Sequence, residues 1–240
     1  MAVAPRRKTY SWILFTGIMI ISSVLAPPVI GQQGGTGTIR GRVIEPVMDD
    51  ISEELVRDRS LLRYETHLEP FHETAPPYKL SEEAVVYLES VPTSGWRHDS
   101  DITHPELNQS HMLFHPLVLP VLVGTTVDFP NSDNVFHNVF SYSQTKEFDL
   151  GRYPRGQRKS ILFDKPGVVK VYCDIHSYMY AVILVLGNPF FTVPGDDGSY
   201  SISNVPAGTY KLSLWYGRKK TETRSVTIED DKVSVVDFDQ

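Results

Sequence analysis

Three residues able to bind a soft metal ion stand at regular intervals in one short segment. The segment VKVYCDIHSYMYAVILV, residues 169–185, contains Cys173, His176 and Met179 in the pattern C-x₂-H-x₂-M. Copper sites that transfer electrons use a thiolate, two imidazoles and a long contact to a thioether sulfur. Because the pattern lies between two strand-like apolar runs, it predicts that all three side chains share one loop and face one point.

The second imidazole must come from elsewhere in the chain, and His137 is the candidate. It lies in FPNSDNVFHNVF, residues 129–140, between apolar runs where a histidine needs a specific reason to be buried. Taken alone, each residue has an ordinary interpretation, since a lone cysteine is commonly a small buried side chain. A catalytic pair of Cys173 and His176 is the sharper alternative, but the sequence shows no evident oxyanion site and no residue to orient the histidine.

The first 31 residues have the pattern of an export signal. A positive triplet at residues 6–8 precedes an apolar stretch without charge at residues 11–26, and small residues favour cleavage after Gly31. The alternative is an uncleaved N-terminal anchor, since the stretch approaches the roughly 17–20 residues of a short spanning helix. We therefore expect an exported protein, periplasmic or extracellular, with no stable membrane insertion after signal cleavage.

The net charge and the cysteine content of the chain limit which classes of function are possible. The formal charge is −6 at pH 7, and loss of the three positive charges of residues 1–31 leaves −9. Such an acidic chain has no general electrostatic basis for binding nucleic acid. Cys173 is the only cysteine, so no internal disulfide can form and the thiol of an exported protein needs another explanation.

The chain as a whole has the pattern of an all-β protein. Short β-branched and aromatic runs recur about every ten residues between clusters of Gly, Pro, Asn and Asp, which favours sandwiches or barrels. Only residues 48–64 have a helix-like spacing of apolar residues, and the prolines that follow at 70, 76 and 77 indicate a loop.

Residues 105–190 resemble the cupredoxins, the copper proteins of plastocyanin and amicyanin type. FHPLVLPVLVGTTVDFPNSDNVFHNVF is similar to their strands and first-ligand segment, and CDIHSYM has amicyanin's compact loop spacing. With FDLGRY, KSILFDKPGVVKVYCDIHSYM and NPFF, the pattern looks closest to the plastocyanin-like proteins labelled methylamine utilisation proteins. The resemblance implies a Greek-key β-sandwich with one copper ion per chain.

The resemblance also implies a role for each site residue. The equatorial ligands would be His137, Cys173 and His176, and the axial ligand would be Met179. Asn138 would tie the His137 segment to the cysteine loop through its side chain. Ile175 and Ser177 occupy positions where amicyanin has prolines, which affects loop rigidity and, through it, the redox potential. A CuA centre is excluded because it needs two cysteines.

The flanks resemble the carboxypeptidase-regulatory-like sandwiches of transthyretin type. Residues 195–217, GDDGSYSISNVPAGTYKLSLWYG, match that signature, while GTIRGRV at 37–43 and EAVVYLE at 83–89 match its first strands. This implies a second small sandwich split in sequence around the copper domain, although EAVVYLE can also be the copper domain's own first strand. The predicted organisation is a signal peptide at 1–31, the first part of the split sandwich at 32–92 with a helical and loop insertion at 48–80, the cupredoxin copper domain at 93–187, and the second part of the split sandwich at 188–240.

The cupredoxin resemblance implies an exported mononuclear type I (blue) copper protein that carries single electrons and is not an enzyme. A redox protein, as donor or acceptor, is expected to dock near His176 on an apolar patch for which Phe136, Tyr178 and Tyr180 are candidates. Two alternatives stay open. One is a copper-binding or copper-delivery module, and the other is a metal-free cupredoxin-like scaffold or adhesion domain.

Two remaining features have less specific interpretations. Residues 151–160, GRYPRGQRKS, concentrate four positive charges on an acidic chain, either to steer an acidic partner or as an ordinary solvated hairpin. Six histidines outside the predicted site have scattered spacing, which favours ordinary surface histidines over an accessory metal site.

Overall fold

The structure is a computed structural model and describes residues 35–44, 78–92 and 104–239. The predicted signal peptide, the helix-like segment 48–64 and the first part of the predicted copper domain, 93–103, lie outside the described residues. Within these ranges the chain forms sixteen strands and one helix of four residues, so the predicted all-β fold class is confirmed. No helix in the described ranges is long and apolar enough to cross a membrane.

The elements are β1 Thr36–Arg42, α1 Leu80–Glu83, β2 Ala84–Leu88, β3 Asn108–Ser110, β4 Leu113–His115, β5 Val118–Leu122, β6 Thr125–Pro130, β7 His137–Ser143, β8 Lys146–Tyr153, β9 Arg158–Phe163, β10 Gly167–Tyr172, β11 Tyr180–Leu186, β12 Phe191–Thr192, β13 Ser199–Pro206, β14 Gly208–Tyr216, β15 Lys219–Ile228 and β16 Val233–Val235.

Strands β3 to β11 form what we term the central sandwich. Its larger sheet has the order β5-β11-β10-β7-β8, in which β5 and β11 are parallel and the other neighbours are antiparallel. The β6–β9 pair supplies Val127 and Phe163 to a core that also contains Val139, Val171 and Ile183 of the larger sheet. Because side chains alternate along a strand, each sheet turns one apolar face to this core.

The strands before and after this unit form a second, flanking sandwich. One sheet has the order β13-β1-β16 and the other β12-β2-β14-β15. Strand β2, which carries AVVYL of the EAVVYLE segment, pairs antiparallel with β14 and β12, so this segment belongs to a sheet of the flanking sandwich. Its core contains Ile39, Val86, Leu212 and Phe238.

A third apolar cluster, the joining cluster, lies between the two sandwiches. It comprises Val85, Tyr87, Val118, Tyr180, Val182, Leu184, Leu186 and Trp215. Strands β2 and β11 are buried at every position, because alternate residues enter this cluster and the core of their own sandwich. Uninterrupted apolar runs such as AVVYL and YAVILVL are typical of strands covered on both faces. The two sandwiches therefore form one compact unit.

Two arginines of the basic segment 151–160, which includes the end of β8 and the start of β9, pair with acidic side chains. The guanidinium of Arg158 donates to Asp128 at 3.0 Å and to Glu106 at 2.5 Å. Arg152 donates to Asp174 at 2.9 Å. These ion pairs offset the two arginine charges locally, which favours the ordinary hairpin interpretation over a free cationic surface.

Asp128 is a buried carboxylate that links β6 to β9 and to the segment before β3. It accepts hydrogen bonds from the hydroxyl of Ser160 at 2.5 Å and from Arg158, and it contacts His104 Nδ1 at 3.2 Å. Burial alone raises a carboxyl pKa, but these bonds outweigh it and hold the pKa of Asp128 below its usual range.

Candidate metal centre

Strand β7 carries His137 at its first position, with the imidazole fully buried. Farther along the strand Val139 and Ser141 are buried while Phe140 and Tyr142 are more exposed, which is the alternation of a strand with one face on a core. His137 pairs with Tyr153 of β8 in the sheet. The sheet therefore holds the imidazole at the end of the central sandwich.

The turn before β7 is held by the side chain of Asn131. Its Nδ2 donates to the carbonyl oxygens of Val135 at 2.9 Å and Tyr153 at 3.0 Å, and its Oδ1 accepts from the Asp133 amide at 3.0 Å. Asparagine side chains commonly close turns by bonding to the backbone two residues on. This bonding determines where the chain enters β7 and thus where His137 stands.

The segment C-x₂-H-x₂-M forms the connection between the antiparallel neighbours β10 and β11. Cys173 follows β10, Met179 precedes β11, and both side chains are buried in the core of the central sandwich. The Met179 amide donates to the carbonyl of His176 at 3.0 Å, which closes a tight turn. The ion pair between Arg152 and Asp174 ties this loop to β8.

The structure brings three of the predicted ligands together. The donor atoms of His137, Cys173 and His176 lie within 4.8 Å of one another. The two Nδ1 atoms are 3.0 Å apart, and Cys173 Sγ is 3.9 Å from His137 Nδ1. Metal bonds of about 2.0 Å to nitrogen and about 2.3 Å to sulfur, arranged trigonally, require separations of about 3.5 Å and about 3.7 Å. The sulfur–nitrogen distance to His137 is close to this value, the Nδ1–Nδ1 distance is about 0.5 Å shorter, and the third pair lies within 4.8 Å. The three donors are therefore near enough to one another to bind a single ion.

The imidazole of His137 also has a partner at its other nitrogen. Nε2 lies 2.8 Å from Oδ2 of Asp133, whose carboxylate also accepts from the amides of His111 and Met112. Burial alone raises a carboxyl pKa, but these three bonds hold the pKa of Asp133 below its usual range. A carboxylate at Nε2 is the kind of partner that holds a proton on that nitrogen of a metal-binding imidazole and leaves Nδ1 free to bind the ion.

His176 is the less buried of the two imidazoles. Burial, and the neighbouring His137 in addition, lower the pKa of His176. A lowered pKa favours the neutral ring, which is the form that binds a metal ion. Both imidazoles thus present Nδ1 toward the same point as the buried thiol.

Two predicted roles are only partly reflected in the geometry. Met179 is fully buried in the same core as Cys173, which suits a thioether ligand and an ordinary core residue equally, so its axial role remains a prediction. The amide nitrogen of Asn138 donates to Asp149 at 3.1 Å, and its Oδ1 has no hydrogen-bond partner among the described residues. The link from Asn138 to the cysteine loop also remains a prediction.

Exposed apolar side chains that neighbour His137 or His176 in sequence, together with Met112, form what we term the apolar rim. Its members are Met112, Val135, Phe136, Ile175 and Tyr178. Phe136 is 55% exposed. The hydroxyl of Tyr178 donates to Met112 Sδ at 3.4 Å, which joins the β3–β4 hairpin to the loop of residues 173–179, here termed the ligand loop after its candidate ligands. Tyr180, a candidate for this patch, is instead buried in the joining cluster beneath Arg218, which lies 4.4 Å from its ring centroid. Its expected contribution to the patch was therefore wrong.

Sequence reasoning assigned no role to Asp133 or to the hairpin tip at His111 and Met112. The only available signal was the position of an aspartate in the turn four residues before His137. The partners at 111 and 112 are remote in sequence, so their bonds to this carboxylate are visible only in three dimensions.

Comparisons with solved structures find copper proteins over part of the chain. A copper-containing nitrite reductase from Thermus scotoductus has 29% identity over 36% of this chain, with a TM-score of 0.35, and the chain covers only 23% of its length. A purple cupredoxin from Nitrosopumilus maritimus has 28% identity over 34% of this chain and 98% of its own, with a TM-score of 0.31. A Cu(I) mutant of amicyanin has 22% identity over 43% of this chain and 98% of its own, with a TM-score of 0.33.

No protein-family model matches the sequence, and no curated protein is significantly similar to it. The carboxypeptidase-regulatory-like assignment of the flanking sandwich therefore stays a prediction.

Proposed function

We propose that this protein is an exported carrier of single electrons that binds one copper ion as a type I centre. The ligands would be His137, Cys173 and His176, with Met179 as the axial ligand. The observation that carries this proposal is the convergence of one thiol sulfur and two Nδ1 atoms, from two separate segments, at one end of a β-sandwich. With Met179 as the proposed fourth donor, the set favours copper over zinc, because a thioether is a soft ligand.

Bound copper would supply one-electron chemistry by alternating between Cu(I) and Cu(II). The chain's contribution is a rigid and enclosed donor set. His137 and Cys173 are buried, Asn131 and Asp133 hold the first histidine, and β10 and β11 hold both ends of the ligand loop. A donor set held in this way resists rearrangement, which suits transfer of an electron and disfavours binding of a substrate. We therefore propose that the protein is not an enzyme.

The apolar rim is the surface on which we propose that a redox partner docks. One of its members, Tyr178, lies with its ring centroid 6.1 Å from that of His176, which is the least buried of the three clustered donors. A small apolar patch of this kind is typical of weak, short-lived encounters between electron-transfer proteins.

Electron self-exchange between oxidised and reduced copies of the copper-loaded protein tests this function. We expect fast exchange in the wild-type protein and at least about tenfold slower exchange in Phe136→Asp, because two rims then bring like charges together. Leu162→Asp is the matched control, because Leu162 is also an exposed apolar residue. It lies near the end of the β6–β9 pair that is opposite to the Pro130 end, from which the chain continues to His137. Equal slowing in both variants would contradict docking at the rim.

The delivery alternative predicts a different behaviour of the same protein. A delivery module would release Cu(I) to a competing chelator within seconds, whereas an electron carrier would hold Cu(I) through many redox cycles. A correctly folded protein that binds no copper at all would leave the scaffold alternative.

A further inference from the structure

Asp133 connects three parts of the molecule that are separate in sequence. Its Oδ2 lies 2.8 Å from Nε2 of His137 and accepts from the Met112 amide at 2.8 Å. Its Oδ1 accepts from the His111 amide at 2.7 Å. The side chain is only 16% exposed, so solvent screens these interactions weakly.

The backbone at the hairpin tip shows why the carboxylate matters there. His111 and Met112 have φ angles of +55° and +58° and form the two-residue connection of the β3–β4 hairpin. Asn and Gly suit such a turn, whereas side chains like those of His and Met are strained in the left-handed region. The Asp133 carboxylate offsets this strain by accepting both amides of the turn. It therefore has a local structural role as well as a contact to the ligand histidine.

The contact to His137 has a separate chemical consequence. A carboxylate at Nε2 orients the ring, keeps the proton on Nε2, and makes Nδ1 a stronger donor. Stronger donation stabilises the more highly charged oxidation state of a bound ion. A hydrogen bond from Nε2 to a backbone carbonyl oxygen would orient the ring equally well but would bring no full negative charge to it.

We propose that Asp133 is a positioning residue that sets the tautomer of His137 and lowers the reduction potential of the copper site. This inference rests on the proposed function for its redox part, whereas the effect on the tautomer belongs to the metal-free chain.

The test compares wild-type protein with Asp133→Asn, which keeps the size of the side chain and removes the charge. In the copper-loaded protein we expect Cu(II) binding to weaken about tenfold relative to Cu(I), which corresponds to a potential about 59 mV higher. In the metal-free protein, nitrogen-edited NMR is expected to show a protonated His137 Nε2 in the wild type. The variant should show faster exchange of this proton with water, or its loss.

A second pair of proteins separates this effect from the strain of the hairpin. The substitutions His111→Asn and Met112→Gly create a turn that adopts left-handed φ angles without help from the carboxylate. If Asp133 acts through His137, then Asp133→Asn raises the potential equally in this background. A shift confined to the natural turn would mean that Asp133 acts only by holding the hairpin, and the proposal would be wrong.

Asp174→Asn controls for the loss of one negative charge near the site. Asp174 follows Cys173 directly and pairs with Arg152. A potential shift as large as that of Asp133→Asn would assign the effect to general electrostatics and overturn the proposal. If the wild-type protein forms no copper centre, the proposed function fails, and the metal-free spectra decide the tautomer claim. An Nε2 proton of His137 that exchanges with water at the same rate in Asp133→Asn as in the wild type then overturns the claim that Asp133 sets the tautomer.

Discussion

We predict that the two sandwiches unfold together in one transition, and that packing of Trp215 in the joining cluster contributes to this coupling. Trp215 lies on β14 of the flanking sandwich, is 7% exposed, and belongs to the joining cluster with Tyr180 and Val182 of β11. Its Nε1 donates to the carbonyl of Gly217 at 3.0 Å, so replacement by alanine also removes a hydrogen bond. The cavity therefore opens between the two sandwiches and not inside either one.

The expected cost of Trp215→Ala follows from its burial. Replacing a buried tryptophan by alanine costs about 3–5 kcal/mol of unfolding free energy. In a unit of roughly 200 residues, each kcal/mol lowers the melting temperature by about 2–4 °C. We therefore expect a decrease of about 6–20 °C in a single transition that includes both sandwiches.

Differential scanning calorimetry and far-ultraviolet circular dichroism of residues 32–240 measure this effect. Tyr142→Ala is the control, because Tyr142 is 76% exposed on the central sandwich and its loss should leave the melting temperature nearly unchanged. Two separate transitions, of which only one responds to Trp215→Ala, would refute the reasoning, because the joining cluster would then not couple the two sandwiches.

Three further predictions concern a turn, a buried carboxylate and the axial position. Gly198→Ala is expected to destabilise the protein more than Gly124→Ala. Both glycines have positive φ, but an added Cβ at 198 meets the carbonyl oxygen of Val43 at 2.2 Å, whereas one at 124 meets nothing within 4 Å. Equal urea concentrations at the midpoint of unfolding for the two variants would contradict this. Because the pKa of Asp128 is lowered in the folded protein, its contribution to stability is present above about pH 4, the unfolded value, and is lost as the pH falls through the folded value. Asp128→Asn should therefore flatten the acid side of a stability-versus-pH curve, and an unchanged acid limb would count against the assignment. Met179→Leu is expected to lower the free energy of unfolding by less than about 1.5 kcal/mol, because the two side chains have similar volumes. It is also expected to raise the reduction potential of the copper site, since a weak donor to Cu(II) is lost. Voltammetry that shows no rise would contradict the axial role of Met179.

The candidate ligands could be predicted from sequence because their chemistry is concentrated in short segments. Cys173, His176 and Met179 fall within seven consecutive positions between two strands. The turn before His137 contains Asn131, whose side chain stabilises it. Local spacing of this kind survives into the folded chain, since neighbouring antiparallel strands hold both ends of the loop.

The features that sequence did not reveal depend on contacts between distant segments. The role of Asp133 requires the hairpin tip at residues 111 and 112, and the pairing of Arg158 requires Glu106 and Asp128. The joining cluster did leave a signal in the uninterrupted apolar runs of β2 and β11. Alternation alone does not say which second layer covers each strand, so the sequence could not show that Tyr180 enters the joining cluster.

The most direct test of the central claim is a copper(II) titration of residues 32–240 beside the variant Cys173→Ser, followed by visible absorption and electron spin resonance. We predict an intense thiolate-to-copper band that saturates at one equivalent, with narrow parallel hyperfine splitting, and loss of both features in Cys173→Ser. A folded wild-type protein that shows no such band, or a band that persists without the Cys173 thiol, would contradict the assignment of a type I copper centre.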